Sequence, residues 1–258
     1  MSDILKKSIG LVLSGGGVRG MAHIGLIRAM NEYGISAEIV SGSSVGALVG
    51  ALYANGNSVT EMLSFFKETP LFKYNFLTIV KPGFIDTDRY FDVFRVYFPE
   101  DSFEALQRKL HVVATNLQDG ELSYFSEGEL IGPLLASAAL PPVFSPVELN
   151  GKFYADGGIM NNFPLEPIAD KVDFVLGSNV SVVAPLERNA LKNSLQITGR
   201  VTGLMIYAIN RSKLQACDFL LEFKELENIG VLDRKGIEKA YLIGYDRSRS
   251  ALDALLSE

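Results

Sequence analysis

The chain contains few of the side chains that build disulfides, metal clusters and histidine-based catalytic sites. Its 258 residues include one cysteine, Cys217, two histidines, His23 and His111, and no tryptophan. One cysteine cannot form a disulfide within the chain, and it leaves too few thiolates for a zinc or iron–sulfur cluster. No aspartate-rich loop has the ligand spacing of a calcium site. We therefore expect a reducing, cytoplasmic environment, no metal site and no cofactor.

Long apolar runs and an excess of positive charge are also missing. No stretch approaches the ~20 apolar residues that span a bilayer, and the apolar run Ile9–Leu13 after Lys6 and Lys7 is too short for a signal peptide. The 30 acidic side chains outnumber the 24 basic ones, which argues against nucleic acid as a partner. We expect a soluble protein whose contact with a membrane surface, if any, is transient and apolar. The oligomeric state is left open.

Hydrophobic residues make up 48% of the chain and charged residues 21%, enough to form a sizeable core. Short apolar runs rich in β-branched residues alternate with segments of helical period, which is typical of strands covered by helices on both faces. We therefore predict an α/β fold with a central, mostly parallel sheet. Nothing marks a domain boundary, so residues 1–258 are interpreted as one domain.

Two strand–loop–helix units open the chain. Strand Ile9–Leu13 precedes a helix over residues 21–33, which Gly34 ends, and a strand over 37–40 precedes a helix over 47–53. The tail, residues 194–258, is rich in predicted helix. Further strands are predicted over residues 110–115, Glu121–Phe125, Val147–Leu149, 153–154, 173–176 and 219–223. An Asn150-Gly151 hairpin turn is predicted to join Val147–Leu149 to residues 153–154.

Residues 58–109 read as mostly helical and could form a cap. Ser58 and Glu61 match a capping box, and Asp86 or Thr87 could cap a second helix that runs to Tyr97. Nine of the 16 phenylalanines lie in this region, where they either line an acyl pocket or lid or, as we favour for most of them, pack in the core. They are Phe65, Phe66, Phe72, Phe76, Phe84, Phe91, Phe94, Phe98 and Phe103.

The first loop carries the glycine pattern G-x-G-x-x-G between a strand and a helix. Its backbone amides could bind the phosphates of a dinucleotide, could hold an oxyanion, or could simply form a tight turn. A dinucleotide site needs a ribose-binding acid at the end of the second strand, where Ser41 and Gly42 stand instead, and Glu38 lies at the strand's start. The loop consists of Gly15, Gly16, Gly17, Val18, Arg19 and Gly20.

The second loop has the G-x-S-x-G spacing of a nucleophile elbow, with Gly42 and Gly46 at its ends and Ser44 at its centre. A serine nucleophile needs a base, and neither histidine follows the serine in the usual order. His23 lies in the first helix, and His111 opens a predicted buried strand. The base must then be a carboxylate, and Asp156 in the Asp-Gly-Gly sequence after the hairpin is the candidate.

These motifs, in this order, resemble those of the patatin-like phospholipases, which are lipid acyl hydrolases with a Ser-Asp dyad. Residues 15–20 are similar to the family's oxyanion loop, residues 42–46 to its nucleophile elbow, and Asp156, Gly157 and Gly158 to its Asp-Gly-Gly motif. Residues 136–146 are similar to the segment that precedes the dyad aspartate. The likeness covers residues 8 to about 180, and it implies a three-layer α/β/α fold.

The resemblance implies that Ser44 attacks a lipid ester while Asp156 accepts its proton. The oxyanion would be held by amides of the glycine loop and of Val45. A carboxylate base would keep activity at pH 5.5 unless burial raises its pKa. Arg19 could attract a lipid phosphate or fix the loop.

Three alternatives stay open. An alcohol or lysolipid could outcompete water for the acyl-enzyme, which would make the chain a lipid transacylase. Residues 15–20 could belong to a dinucleotide-binding module. The chain could also bind lipid without catalysis. The lipid head group, the acyl length and the cleavage position are not indicated by the sequence.

Overall fold

The computed structural model describes residues 3–69, 86, 90–188 and 191–257, which form an eight-stranded sheet flanked by α-helices. The strands are β1 (Ile9–Leu13), β2 (Ile39–Ser43), β3 (Lys109–Asn116), β4 (Glu121–Phe125), β5 (Val147–Leu149), β6 (Lys152–Asp156), β7 (Phe174–Asn179) and β8 (Phe219–Glu222). The helices are α1 (Met21–Glu32), α2 (Val45–Ala54), α3 (Val59–Glu68), α4 (Phe91–Tyr97), α5 (Ile131–Ser137), α6 (Ser194–Leu214) and α7 (Ile237–Ser257). Within these ranges, none of the helices is both long and apolar enough to cross a membrane.

The sheet is mixed and mostly parallel, as the sequence predicts. Its order is β5-β6-β3-β2-β1-β7-β8, and β4 also pairs with β3. The pairs β1–β2, β2–β3, β1–β7 and β7–β8 are parallel, whereas β4, β5 and β6 form antiparallel pairs. All five residues of the central strand β1 are buried, which is expected of a strand covered on both faces.

Both faces of the sheet carry a hydrophobic core. Leu11 and Leu13 of β1 belong to the larger cluster, whereas Val12 packs in a second cluster with Phe163 and Leu214. Successive side chains of a strand point to opposite faces. The two clusters therefore lie on opposite faces of the sheet, and the three-layer arrangement is confirmed.

Helices α1 and α7 touch through their backbones. A Cβ atom at Gly25 would lie 2.3 Å from the backbone nitrogen of Tyr245, and a Cβ atom at Gly244 would lie 2.3 Å from the carbonyl oxygen of Ala22. Only glycine allows this approach. The end of the chain is thereby packed against its first helix.

Strands β2 and β6 share one edge of β3 and point at each other. β4 occupies the other edge. β2 runs parallel to β3 and ends with Ser43 opposite Val113, whereas β6 runs antiparallel and ends with Asp156 opposite Ala114. Because Val113 and Ala114 are neighbours in sequence, the carboxyl ends of β2 and β6 meet head to head. The residue after Ser43 therefore lies beside Asp156.

The predicted strands are all present. Ile9–Leu13, Glu121–Phe125 and Val147–Leu149 have the predicted bounds, and the other strands differ at their ends. β2 continues to Ser43, where we predicted a loop, because small polar residues are here paired with β1 and β3 and buried. Tertiary pairing overrides their weak strand propensity. β7 likewise continues to Asn179, beyond the predicted end at residue 176. Asn150 and Gly151 have φ values of 51° and 76°, as a two-residue hairpin turn requires.

Residues 58–109 contain less helix than predicted. The capping box is confirmed, since the Glu61 amide donates to Ser58 Oγ and the Ser58 amide donates to the Glu61 carboxylate. Helix α4 begins after Tyr90 rather than at Asp86, and residues 98–108 form turns and bends. Residues 70–85 and 87–89 lie outside the described residues, and with them Thr87, Phe72, Phe76 and Phe84.

The described phenylalanines of this region pack as core. Phe65, Phe66 and Phe94 are fully buried. The rings of Phe65 and Phe66 meet edge to face with centroids 4.9 Å apart, and those of Phe65 and Phe94 at 5.2 Å, the geometry that aromatic pairs prefer. Phe98 and Phe103 are buried as well. Core packing is therefore the better interpretation for these side chains.

Candidate active site

Ser44 occupies the single residue between β2 and α2, with φ 53° and ψ −128°. A non-glycine residue in this region costs about 1–3 kcal/mol of backbone strain. A Cβ atom at Gly42 would lie 2.5 Å from the carbonyl oxygen of Gly46, and a Cβ atom at Gly46 would lie 2.2 Å from that of Leu13. Glycine at both ends lets the strand turn directly into the helix, which presents the Ser44 hydroxyl at the turn.

The structure brings Ser44 and Asp156 together. The Ser44 hydroxyl donates a 2.6 Å hydrogen bond to Oδ2 of Asp156, and the Gly158 amide donates one of 2.7 Å to Oδ1. The Thr115 hydroxyl donates to the Asp156 carbonyl at 2.9 Å, and the Asp156 amide donates to the Ala139 carbonyl at 3.0 Å. Each oxygen and the amide of Asp156 is therefore bonded, and its carboxylate is held in place.

Asp156 is 4% exposed. Burial raises the pKa of Asp156 to about 6, although the hydrogen bonds from Ser44 and Gly158 act in the opposite direction and lower it. A base works best when its pKa lies near the working pH, because it is then both ionised and basic. The buried carboxylate is thus suited to take a proton from Ser44 near neutral pH.

The segment of residues 136–146 supports both members of the pair. Its residue Ser137 accepts a 2.9 Å hydrogen bond from the Ser44 amide through Oγ, and its residue Ala139 accepts from the Asp156 amide. The sequence singled out this segment but gave no role to Ser137 or to Thr115. Both lie in elements whose positions beside the pair appear only once the sheet is assembled.

The glycine loop lies against Ser44 and offers free amides. Among the described residues, no acceptor is bonded to the amides of Gly16, Gly17 or Val45, and all three residues line the same cavity as Ser44. The Gly17 φ is 58°, a left-handed conformation that glycine adopts at little cost. Three unpaired N–H groups beside a hydroxyl can hold a negative oxygen.

The structure narrows the set of amides expected to bind an oxyanion. The Gly15 amide donates to the Asn162 carbonyl at 3.1 Å, and the Val18 amide donates to the Val231 carbonyl at 2.8 Å. Gly20 is part of a short 3-10 helix with a buried backbone. Because their hydrogen atoms are already bonded, the amides of Gly15 and Val18 are not available to a ligand.

Arg19 fixes the loop and does not face an incoming phosphate. Its Nε donates to the Ile229 carbonyl at 2.7 Å, and its terminal nitrogen donates to the Glu227 carbonyl at 3.2 Å. Burial lowers the pKa of Arg19, and the nearby Glu227 carboxylate opposes this effect. Together with the Val18–Val231 bond, these contacts tie the glycine loop to the chain 208 to 213 residues further on. We call residues 227–231 the strap.

Replacing Arg19 by alanine is expected to lower kcat about tenfold to a hundredfold, because free amides that lose their fixed positions stabilise an oxyanion less well. The loss should be equal for a phosphatidylcholine and for a nitrophenyl ester without phosphate. Steady-state kinetics of Arg19→Ala and Arg19→Lys on both substrates would measure it. A rise in KM confined to the phospholipid would show instead that Arg19 binds the phosphate.

Asn162 joins the glycine loop to the Asp-Gly-Gly motif. Its carbonyl accepts from the Gly15 amide, and its Nδ2 donates to the Gly15 carbonyl at 3.4 Å. A Cβ atom at Gly15 would lie 2.3 Å from Oδ1 of Asn162, and a Cβ atom at Gly158 would lie 2.6 Å from the same oxygen. The sequence analysis did not single out Asn162, whose only signal is its position four residues after Gly158.

Neither histidine lines the cavity that holds Ser44. The buried His23 ring contacts the Ser178 hydroxyl at 2.8 Å and the Ser14 carbonyl at 2.9 Å. Burial lowers the pKa of His23 to about 4, and burial followed by two nearby lysines lowers the pKa of His111 to about 4. Both rings are neutral at pH 7, and His23 acts as a structural bridge at the base of the glycine loop.

An apolar cavity of about 360 Å³ opens beside the Ser44–Asp156 pair. Its inner wall is formed by the buried side chains of Leu48, Tyr90, Leu135 and Phe144. Apolar walls with a few convergent polar groups are typical of a site for an apolar ligand. Apolar walls do not suit the charged pyrophosphate that the dinucleotide alternative would place on the glycine loop.

Comparison with known proteins agrees with this architecture. An uncharacterized NTE family protein of Mycobacterium tuberculosis is 35% identical over 166 residues, covering 62% of this chain and 45% of that protein. A lysophospholipase of Neurospora crassa is 30% identical over 181 residues, covering 67% of this chain and 12% of that protein. The chain thus spans about half the length of the mycobacterial relative.

The fold also matches solved structures. The structure of VipD from Legionella pneumophila superposes with a TM-score of 0.63 and 17% identity, covering 96% of this chain and 67% of VipD. At this identity the likeness concerns the fold. A sequence profile described as Patatin-like phospholipase matches residues 11–169, a range that includes the glycine loop, Ser44 and Asp156. Since the profile spans more than half of the sequence, the chain belongs to the patatin-like phospholipase family.

Proposed function

We propose that this chain is a serine acyl hydrolase that cleaves fatty acyl esters of phospholipids or related lipids. The observation that carries the proposal is the 2.6 Å hydrogen bond from Ser44 Oγ to the buried Asp156 carboxylate at an apolar cavity. The family and the lysophospholipase name of the fungal relative support a lipid ester as substrate. The apolar inner wall suits a fatty acyl chain.

The reaction proceeds through an acyl-enzyme. Asp156 takes the proton of Ser44 while Oγ attacks the ester carbonyl carbon, and the resulting oxyanion receives N–H groups of Gly16, Gly17 and Val45. The carbon–oxygen bond to the leaving alcohol breaks, and Asp156 gives that alcohol its proton. Asp156 then takes a proton from water, whose oxygen attacks the acyl carbon, and Ser44 leaves with the proton as the fatty acid is released.

The pH dependence should show a single acid limb at about pH 6. Protonated Asp156 cannot accept the Ser44 proton, and its pKa is about 6, so kcat/KM falls as the pH decreases through this value. About a quarter of the carboxylate is ionised at pH 5.5, which revises the expectation that activity persists there. The two histidines have pKa values of about 4. An acid limb near pH 4 would contradict the raised pKa of Asp156.

The proposal is tested by product analysis with a phosphatidylcholine and a lysophosphatidylcholine in the presence of EDTA. We expect released fatty acid, since the nucleophile, the base and the oxyanion donors are all supplied by the chain. Formation of diacyl product from lysophosphatidylcholine would identify acyl transfer instead. No product from either lipid, and none from a short-chain nitrophenyl ester, would contradict an acyl hydrolase.

A further inference from the structure

The outer face of helix α6 is apolar. Ile197, Val201, Met205 and Ile209 follow one another at four-residue spacing and are 48%, 49%, 62% and 47% exposed, and Leu204 beside them is 44% exposed. Residues four apart lie on one side of a helix. A surface helix ordinarily turns such residues toward the core. We call these five residues the α6 face.

Two polar side chains of α6 contact the rest of the protein. Asn210 is buried and accepts from the Phe163 amide at 3.1 Å, and Arg200 donates to the Ala184 carbonyl at 2.8 Å. No charged residue lies within the α6 face itself. Leu214 and Tyr207 of α6 pack in the second hydrophobic cluster. The helix is therefore attached to the protein through polar and apolar contacts, whereas the α6 face remains exposed.

The α6 face continues into the wall of the cavity. Met205 and Ile209 line the cavity as well as the outer surface. On other parts of the cavity wall, Leu140, Ile159 and Val231 are 39%, 38% and 42% exposed. Exposed apolar side chains thus surround the opening through which a ligand reaches Ser44, and the face and the site share one surface.

The charge around α6 differs in sign from that of the rest of the chain. Residues 186–214 contain five basic residues and one acidic residue, whereas the remaining residues contain 19 basic and 29 acidic ones. Among the basic residues, Arg188, Lys192 and Arg211 are exposed. An apolar strip flanked by basic side chains is the composition that favours the surface of an anionic lipid aggregate.

We propose that the α6 face docks this protein on the surface of lipid aggregates that contain anionic phospholipid, with the cavity opening against the acyl chains. The helix lies in the interface, and an acyl chain passes from the aggregate into the cavity without crossing water. This proposal rests on the proposed function, because it names the physical form of the lipid substrate. Docking itself does not require ester hydrolysis.

The test is flotation of the Ser44→Ala protein with vesicles of phosphatidylcholine, alone or mixed with phosphatidylglycerol. In this background we compare Val201→Glu/Leu204→Glu with Val96→Glu/Leu242→Glu, which makes the same substitutions at exposed helix positions 78% and 46% accessible elsewhere. Neither Val201 nor Leu204 lines the cavity. We expect the first pair to weaken vesicle binding by about tenfold or more and the control pair by less than about twofold.

Binding should be stronger to the mixed vesicles, and added salt should remove that difference. Equal losses in the two double variants, or equal binding to both kinds of vesicle, would overturn the proposal. So would a stable dimer of the wild type that dissociates in Val201→Glu/Leu204→Glu, because a second copy would then cover the face.

An activity measurement separates this proposal from the proposed function. With Ser44 intact, Val201→Glu/Leu204→Glu should hydrolyse a soluble short-chain ester within about twofold of wild type, and vesicle phospholipid about tenfold more slowly. Vesicle binding without hydrolysis of any ester would leave docking standing and overturn the hydrolase. Hydrolysis of the soluble ester without vesicle binding would overturn docking alone.

Discussion

Replacing Ser44 by alanine is expected to reduce ester hydrolysis by about 10⁴-fold or more, because it removes the nucleophile of the proposed mechanism. The chain should remain folded, since the change removes one hydroxyl at a half-buried turn. Loss of the hydrogen bond from Ser44 also removes a contribution that lowers the pKa of Asp156, so this pKa should rise further. Rates on a nitrophenyl ester measure the loss of activity, and thermal unfolding shows whether the variant remains folded.

The neighbouring serine is the matched control. Ser43 Oγ is buried and has no hydrogen-bond partner in the described part of the chain. Ser43→Ala therefore removes an unpaired polar group, which should leave stability unchanged or slightly higher and activity within about threefold of wild type. A Ser44→Ala enzyme that keeps more than about a hundredth of the wild-type rate would exclude Ser44 as nucleophile.

Asp156→Asn is expected to lower the rate by about 10³-fold to 10⁴-fold and, at the same time, to stabilise the fold. The pKa of Asp156 is about 6 in the folded protein, whereas the ordinary pKa of an aspartate side chain is 3.8. Between these values the folded state binds the proton that the unfolded state has lost. The free energy of unfolding therefore falls as the pH rises from about 4 to about 6 and stays low above it.

At pH 7 the ionised carboxylate thus costs about 3 kcal/mol of stability, which is two pKa units converted to free energy. Asparagine avoids this cost and can still accept from Gly158. Urea unfolding at pH 4.5 and 7.5 should show a gain in stability for Asp156→Asn that is larger at the higher pH. A variant that is less stable than wild type at pH 7.5 would contradict the raised pKa.

Asp173→Asn provides a control of opposite sign. The exposed Asp173 carboxylate accepts from the amide and the hydroxyl of Ser8 at 3.0 Å and 2.8 Å, and these bonds lower its pKa. Its stabilising effect is present above its unfolded pKa and is lost as the pH falls through the folded pKa. Asp173→Asn should therefore lose stability at pH 7.5 and keep its activity.

Local sequence patterns predict the two loops and the strands that carry them. Gly42 and Gly46 around Ser44 specify the turn, because the backbone leaves no room for a side chain at either position. The Asn150-Gly151 turn fixes the hairpin that ends in Asp156, since both residues must adopt positive φ. These signals lie within a few residues of the groups they position.

The remaining parts of the site depend on contacts between distant segments. Ser137, Thr115 and Asn162 are ordinary polar residues in the sequence, and their roles arise from the head-to-head meeting of β2 and β6 on β3. The division of the loop amides into free and bonded ones depends on the Val231 carbonyl, 213 residues after Val18. Periodicity and local motifs contain no information on such pairings.

Because the strap, residues 227–231, follows the other parts of the site in the sequence, these parts are synthesised in a fixed order. A growing chain contains both Ser44 and Asp156 once residue 156 has been made, yet the carbonyls that hold Val18 and Arg19 belong to residues 227, 229 and 231. Domains generally fold from the amino terminus during synthesis. The strap is made last among these parts, so the glycine loop of the nascent protein is not fixed until residues 227–231 have been made. The order of synthesis thereby places the fixing of the glycine loop after the synthesis of Ser44 and Asp156.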